Sequence, residues 1–273
     1  DKASSLDGFE ESILFMTDAS VMLDPNCLVE MVKHFKNPEV FLVDATMKSI
    51  GTTEGGISAS EGMYIEMEGR LKTWVSKATG IMMGPFGGCY CIRASSYHPV
   101  PPTFLVDDFY ITMKGYADGG LAINEEDAVC YEKVGVEQKE EYKRKRRISS
   151  GNFQNMVHFF DLWFPPVNAL GFSFFSHKVL RWCGPFFIIF ALAGLTILVI
   201  TGTTITYQFL FVSLVLWLIV LPLLDRILGT VGLRIGILRN IRYFNVMNWA
   251  LLQGFFKYIY GIKSNVWQPP KRS

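Results

Sequence analysis

Residues 12–20 read Ser-Ile-Leu-Phe-Met-Thr-Asp-Ala-Ser, a short apolar run closed by a carboxylate. An unbroken apolar stretch of this length predicts a buried parallel strand over Ser12–Thr17, with Asp18 just past its end. Ligands of α/β sheets bind beyond the C-terminal ends of the strands. Asp18 is therefore placed to ligate a Mg²⁺ or Mn²⁺ ion that bridges substrate phosphates. An Asx-turn leading into the next helix is the alternative role for the same side chain.

Working outward, Pro25–Lys36 shows helical spacing in Leu28, Met31, Val32 and Phe35, with Asp24 as N-cap and Pro in the first turn. Val40–Ala45 reads as a second strand and Glu61–Lys77 as a second helix. A glycine-rich loop, Gly80–Gly88, leads into a strand at Cys89–Arg93. Pro99, Pro101 and Pro102 mark an irregular link before Phe104-Leu105-Val106-Asp107-Asp108, after which a short helix runs toward Gly115. Alternating strand and helix predicts an α/β layer architecture.

Asp107 and Asp108 follow a strand-like triplet. On an extended chain neighbours face opposite ways, so one carboxylate would enter a site and the other cap the helix. An aspartate that takes a proton from an acceptor hydroxyl is what inverting sugar transfer requires, although capping alone also explains the pair. Gly87-Gly88 permits close backbone approach to a ligand, or forms a plain tight turn.

The run Lys143-Arg144-Lys145-Arg146-Arg147 suits anionic lipid, or an arginine gripping a diphosphate. It lacks interleaved aromatics, so no nucleic-acid partner is expected.

Half of the 273 residues are hydrophobic and the formal net charge is +1. Gly184–Ile200 and Tyr207–Leu224 carry no charge, and each with its flanks reaches about 20 residues, enough to cross a bilayer core. The arginines beyond the second segment predict a cytoplasmic side that also holds the catalytic half. The five cysteines form no CxxC pair, which predicts reduced thiols and no zinc site.

In this order the motifs resemble membrane-embedded glycosyltransferases of family 2, the group of cellulose, hyaluronan, chitin and poly-N-acetylglucosamine synthases. Thr17-Asp18-Ala19-Ser20 is similar to the metal-binding DxD motif, and Gly87-Gly88-Cys89 to the acceptor loop. Val106-Asp107-Asp108 is similar to TED. Arg144–Ile148 stands where QxxRW is found, and Trp267–Arg272 resembles the terminal W…R element. Lys2-Ala3-Ser4-Ser5-Leu6 is similar to a K-x-x-x-L stretch that precedes the metal motif. The resemblance implies a GT-A fold, a nucleotide-sugar donor (a UDP-sugar), Mg²⁺ or Mn²⁺, and inversion at the anomeric carbon. It further implies that Asp18 binds the metal, Asp108 is the base, and Arg147 and Arg144 meet the diphosphate. Gly87, Gly88, Cys89, Asp107 and Trp267 would face the acceptor. The departures are Ser20 for the second acid of DxD, Asp107 for glutamate, Arg144 for glutamine and Ile148 for tryptophan.

The expected organisation is a partial GT-A, Rossmann-like domain over 1–136, amphipathic interfacial helices over 137–182, and a transmembrane region over 183–273. Spans are expected at 183–202 and 206–225, with 244–260 either crossing or lying in the interface. Opening at Asp1 in a polar stretch reads as a fragment that lacks the strands gripping the base and ribose, and this predicts weak or no activity for residues 1–273 alone. The expected enzyme is a multi-pass protein of the inner or plasma membrane. Its partners would be a glycan or lipid-linked acceptor, membrane lipid and further copies of itself. The alternatives are a non-processive transferase acting on a lipid carrier, and a non-enzymatic membrane subunit.

Overall fold

The computed structural model describes residues 8–50, 57–133, 138–202 and 204–262. Its polar half runs β1 (Ile13–Thr17), β2 (Val21–Leu23), α1 (Cys27–Val32), β3 (Val40–Ile50), α2 (Ile57–Thr79), β4 (Cys89–Arg93), α3 (Asp107–Ala117) and β5 (Leu121–Lys133). The strands form one sheet in the order β1-β4-β3-β5-β2.

The first strand departs from expectation. β1 pairs antiparallel with β4, Thr17 opposite Cys89, and its apolar residues are only half-buried. Of the described pairings β3–β5 is the parallel one. An unbroken apolar run reports hydrophobic surroundings but not the direction of the neighbouring strand.

Asp18 nevertheless lies at the C-terminal end of β1. Its carbonyl accepts the Val21 N–H at 3.1 Å, closing a turn into β2. Asp24, the expected N-cap of α1, is instead an Asx-turn acceptor for the Asn26 N–H (3.0 Å), and the N-cap is Asn26, two residues on.

Strand alternation sorts the side chains onto two faces. Met16, Tyr90, Asp44 and Asn124 stand in register across β1, β4, β3 and β5. Helix α2 covers this row: Lys72 bonds Asp44 at 2.7 Å, and Thr73 accepts from the Asn124 amide at 2.9 Å. On the other face Cys89 meets Cys27 and Cys130 beneath α1. The five cysteines are free thiols, as expected.

The chain continues as α4 (Gln138–His158), α5 (Phe160–Trp163) and α6 (Ala169–Phe174), which passes through a π-helical turn at Phe175–Val179 into α7 (Leu180–Trp182). Then come α8 (Gly184–Ile200), α9 (Ile205–Val215), α10 (Leu221–Thr230) and α11 (Gly236–Ile259). A second π-helical turn, Leu216–Val220, joins α9 to α10 in one helix, Ile205–Thr230.

That 26-residue helix, whose most apolar 18-residue window has a mean hydropathy of 2.3, is the one helix among the described residues long and apolar enough to cross a membrane by itself. Helix α8 has 17 residues, about 25 Å at 1.5 Å per residue, and meets Ala169–Trp182 at a 59° bend.

The helix expected along the membrane face buries one side against protein and leaves Lys143, Arg146 and Val157 exposed. Ser150, Phe153 and Asn155 of α4 are fully buried. Phe153 packs edge-on against Phe255 of α11, 5.2 Å between ring centroids. A Cβ on Gly254 of α11 would strike Ser149, so the two helices cross at backbone distance. The second half of the stretch 244–260 thus rests on α4.

Candidate active site

The site is organised by the Gly84–Gly88 turn, a loop that lies between α2 and β4. Gly84 and Gly87 have φ of +82° and +84°, in the left-handed region where a side chain is strained. The Gly88 carbonyl accepts the Asp18 N–H at 2.9 Å. A Cβ added to Gly87 would run into the Asp108 carboxylate. Consecutive residues of one turn therefore touch Asp18 and Asp108, which the sequence separates by 90 positions.

Asp107 and Asp108 occupy the first turn of α3 rather than an extended segment. The Asp107 carboxylate accepts the Asp108 N–H (3.1 Å) and the Asp108 carboxylate accepts the Phe109 N–H (2.7 Å). Both satisfy donors that a helix start leaves open. They are not equivalent, since Asp107 is exposed while Asp108 lies half-buried behind Gly87. Burial, followed by the charges of Asp107 and Asp44, pushes the Asp108 carboxyl up to about 7 against the opposing Phe109 N–H and Lys178. A carboxylate tuned to that range suits general-base work at neutral pH.

Arg147 reaches the same corner from α4, donating from Nη1 to the Leu105 carbonyl at 3.0 Å. Burial lowers its pKa from the ordinary arginine value, and the nearby Asp107 and Asp108 charges oppose that shift. Arg144 lies one helical turn earlier on α4.

Cys89 is placed elsewhere. It is fully buried, and because it alternates with Tyr90 its thiol faces Cys27 and Cys130, where a hydrogen bond with Cys130 and burial push its pKa up. It has no side-chain surface to offer an acceptor. Trp267 and the rest of the terminal element, like Lys2–Leu6, lie outside the described residues.

Sequence reading missed the charges behind the turn: Asp44, Lys72, Lys178 and Glu68. The available signal was an aspartate inside the apolar run VFLVDA, since a buried carboxylate needs a partner somewhere in the fold.

The fit to a divalent ion follows from the donor set. Asp18 offers an exposed carboxylate at the strand end. Beside it, Ser20 Oγ stands 3.5 Å from Glu132 Oε1. No group of three or more acidic, histidine or cysteine side chains converges among the described residues. Such an arrangement suits a hard cation held by one carboxylate and completed by substrate phosphates, not a cage made wholly of protein.

The sequence profile described as glycosyl transferase family group 2 matches residues 12–252, from the start of β1 into α11. The chain belongs to that family. It is a glycosyltransferase, and the non-enzymatic alternative falls away.

No curated protein sequence matches this glycosyltransferase. Among solved structures it is similar to the mannosyltransferase PcManGT from Pyrobaculum calidifontis, in complex with GDP-Man and Mn²⁺. The two are 18% identical with a TM-score of 0.62, and the match covers 95% of this chain and 67% of the other. The shared architecture is the mixed α/β GT-A fold followed by a helical region.

Proposed function

We propose that the protein transfers a glycosyl group from a nucleotide-sugar, a UDP-sugar in our reading, to a hydroxyl of a glycan or lipid-linked acceptor. The reaction takes place at the cytoplasmic face of the inner or plasma membrane. The transfer is a single displacement with inversion. The acceptor oxygen attacks the anomeric carbon as its proton passes to Asp108. The bond from that carbon to the diphosphate breaks, and the nucleoside diphosphate leaves. Asp108, its carboxyl pushed up to about 7, suits this step and sits in the first turn of α3, where the helix dipole favours return of the carboxylate's charge once the proton is released.

Asp18 would hold a Mg²⁺ or Mn²⁺ ion, which when bound supplies positive charge to the leaving diphosphate. Arg147 and Arg144 of α4 would offer further cations to the diphosphate. The complex of PcManGT with GDP-Man and Mn²⁺ supports a donor and a metal of this class. Gly87 would border the acceptor beside Asp108, whereas Gly88 is buried under Phe86 and Val21.

The observation that carries this reading is the turn that contacts Asp18 through Gly88 and Asp108 through Gly87. Membrane placement rests on Ile205–Thr230, whose most apolar window has no residue buried within the chain. Polymer synthesis and single-sugar addition to a lipid carrier share this site. Ile148 in place of the motif tryptophan favours single addition, and a product ladder on a gel separates the two. Donor screening on the full-length protein tests the proposal: nucleoside diphosphate release is read across UDP-glucose, UDP-N-acetylglucosamine and GDP-mannose, with Mg²⁺ or Mn²⁺ present. Release from a UDP-sugar supports the reading, release from GDP-mannose alone corrects the donor, and release from none overturns it.

A further inference from the structure

The Gly84–Gly88 turn rests on buried charge. Asp44, on the central strand β3, has 0% of its surface exposed. One carboxylate oxygen accepts from Lys72 Nζ of α2 at 2.7 Å, and the other accepts the backbone N–H of Phe86 at 2.9 Å. Phe86 is bonded covalently to Gly87, which abuts Asp108. One residue further, Gly88 accepts the Asp18 N–H. An unbroken chain of contacts thus runs from the central strand to both acids of the reaction site.

A second pair flanks the first. Lys178, in the π-helical turn Phe175–Val179, is buried and bonds Glu68 of α2 at 3.0 Å. A Cβ on Gly84 would lie 3.7 Å from its Nζ. Arg181 shares Glu68 at 3.2 Å. These contacts tie the helix entering the apolar region to the same turn.

A buried carboxylate is costly even when paired, and its strand neighbours Leu42, Val43 and Ala45 show what would fill position 44 without that cost. None of those could accept the Phe86 amide. A turn with two left-handed glycines has little conformational preference of its own, so an external anchor must select its shape.

We propose that Asp44 is a positioning residue for glycosyl transfer: held by Lys72, it fixes the Phe86–Gly88 turn against which Asp108 and Asp18 are set. The inference rests on the reading of Asp108 as base. The groups facing Asp108 are Asp107 on its own helix, Asp44 from β3, Lys178 from the π-helical turn, Arg147 from α4 and Tyr90 from β4. Neutralising Asp44 removes one of two carboxylates that raise Asp108, so the acid limb of kcat/KM moves to lower pH.

The test compares wild type, Asp44→Ala, Asp44→Asn/Lys72→Gln and Asp108→Asn in the full chain. Nucleoside diphosphate release is read from UDP-glucose, UDP-N-acetylglucosamine and GDP-mannose, and hydrogen exchange is followed over peptides spanning residues 84–88. Asp44→Ala is expected to exchange faster there and to lose about 100-fold in kcat, the scale of a 1 Å misplacement. The double variant keeps an amide acceptor for Phe86. It is expected to recover about tenfold of that loss and to show the shifted acid limb. A merely structural Asp44 would lower the unfolding temperature while leaving kcat and the pH profile of the folded protein unmoved. Unchanged exchange across 84–88, or wild-type kcat in folded Asp44→Ala, overturns the proposal. If Asp44→Ala does not fold, an unmoved acid limb in the double variant overturns it. Full activity in Asp108→Asn, or no release by wild type, defeats the functional reading instead, and the exchange data still judge the turn.

Discussion

The carboxylate of Asp108 lies against the α-carbon of Gly87, where any Cβ would strike it. Gly87→Ala is therefore expected to displace the carboxylate and to add about 1–2 kcal/mol of backbone strain at φ +84°. Transfer should fall by roughly 100-fold while unfolding shifts by only a few degrees. Parallel turnover and thermal unfolding measurements check this, and near-normal turnover would show that the contact is incidental.

Asp108 should impose a pH profile. With its carboxyl pushed up to about 7, the ionised base is lost as pH falls through neutrality. In the free enzyme kcat/KM should drop about tenfold per pH unit below that point. The stability effect has the opposite sense. A carboxyl whose folded pKa exceeds its unfolded value of about 4 stabilises the fold below pH 4, and that contribution is lost as pH rises toward 7. Asp108→Asn should accordingly unfold at a higher temperature than wild type at pH 8, with the difference vanishing near pH 4.

Asp225 of α10 is 8% exposed and pairs with Arg242 of α11 at 2.7 Å. Arg242→Leu leaves a buried carboxylate alone, at a cost of about 3–5 kcal/mol. Thermal unfolding in detergent should show that loss, and Asp225→Leu/Arg242→Leu should regain most of it. Equal destabilisation of the single and double variants would mean that the pair contributes nothing beyond packing.

The proposed membrane placement predicts that the protein stays in the pellet when membranes are washed with alkaline carbonate. Release into the supernatant would indicate a peripheral association and leave the exposed face of Ile205–Thr230 to another partner.

Much of the polar half was legible because its elements carry local signatures. β4 lies where Cys89–Arg93 predicts it, between a glycine loop and an irregular link. α2 and α3 form where they are expected, but α2 turns Met67 and Leu71 outward and packs Thr73 and Ser76 on the sheet. β5 escaped because its middle, Asn124-Glu125-Glu126-Asp127, lacks the pattern of a strand. Asn124 is buried there by bonds to Thr73 and Ser76 of α2, partners about 50 positions away, and a register shift of β5 against Ala45/Thr46 accommodates the acidic residues that follow. A separation of 28 positions likewise hid the Asp44–Lys72 pair. Cys89 was assigned to the acceptor by its place beside two glycines, whereas strand alternation turns it to the opposite face. Asp18 and Asp108 could each be singled out by residue type and position, but their meeting at one turn is a product of folding.

The most direct test is the Asp108→Asn variant of the full-length protein, assayed for nucleoside diphosphate release and, by calorimetry, for donor binding. A loss of at least about 100-fold in turnover with donor affinity near wild type is the predicted result. Turnover at the wild-type level, or loss of donor binding in a folded variant, would contradict the account.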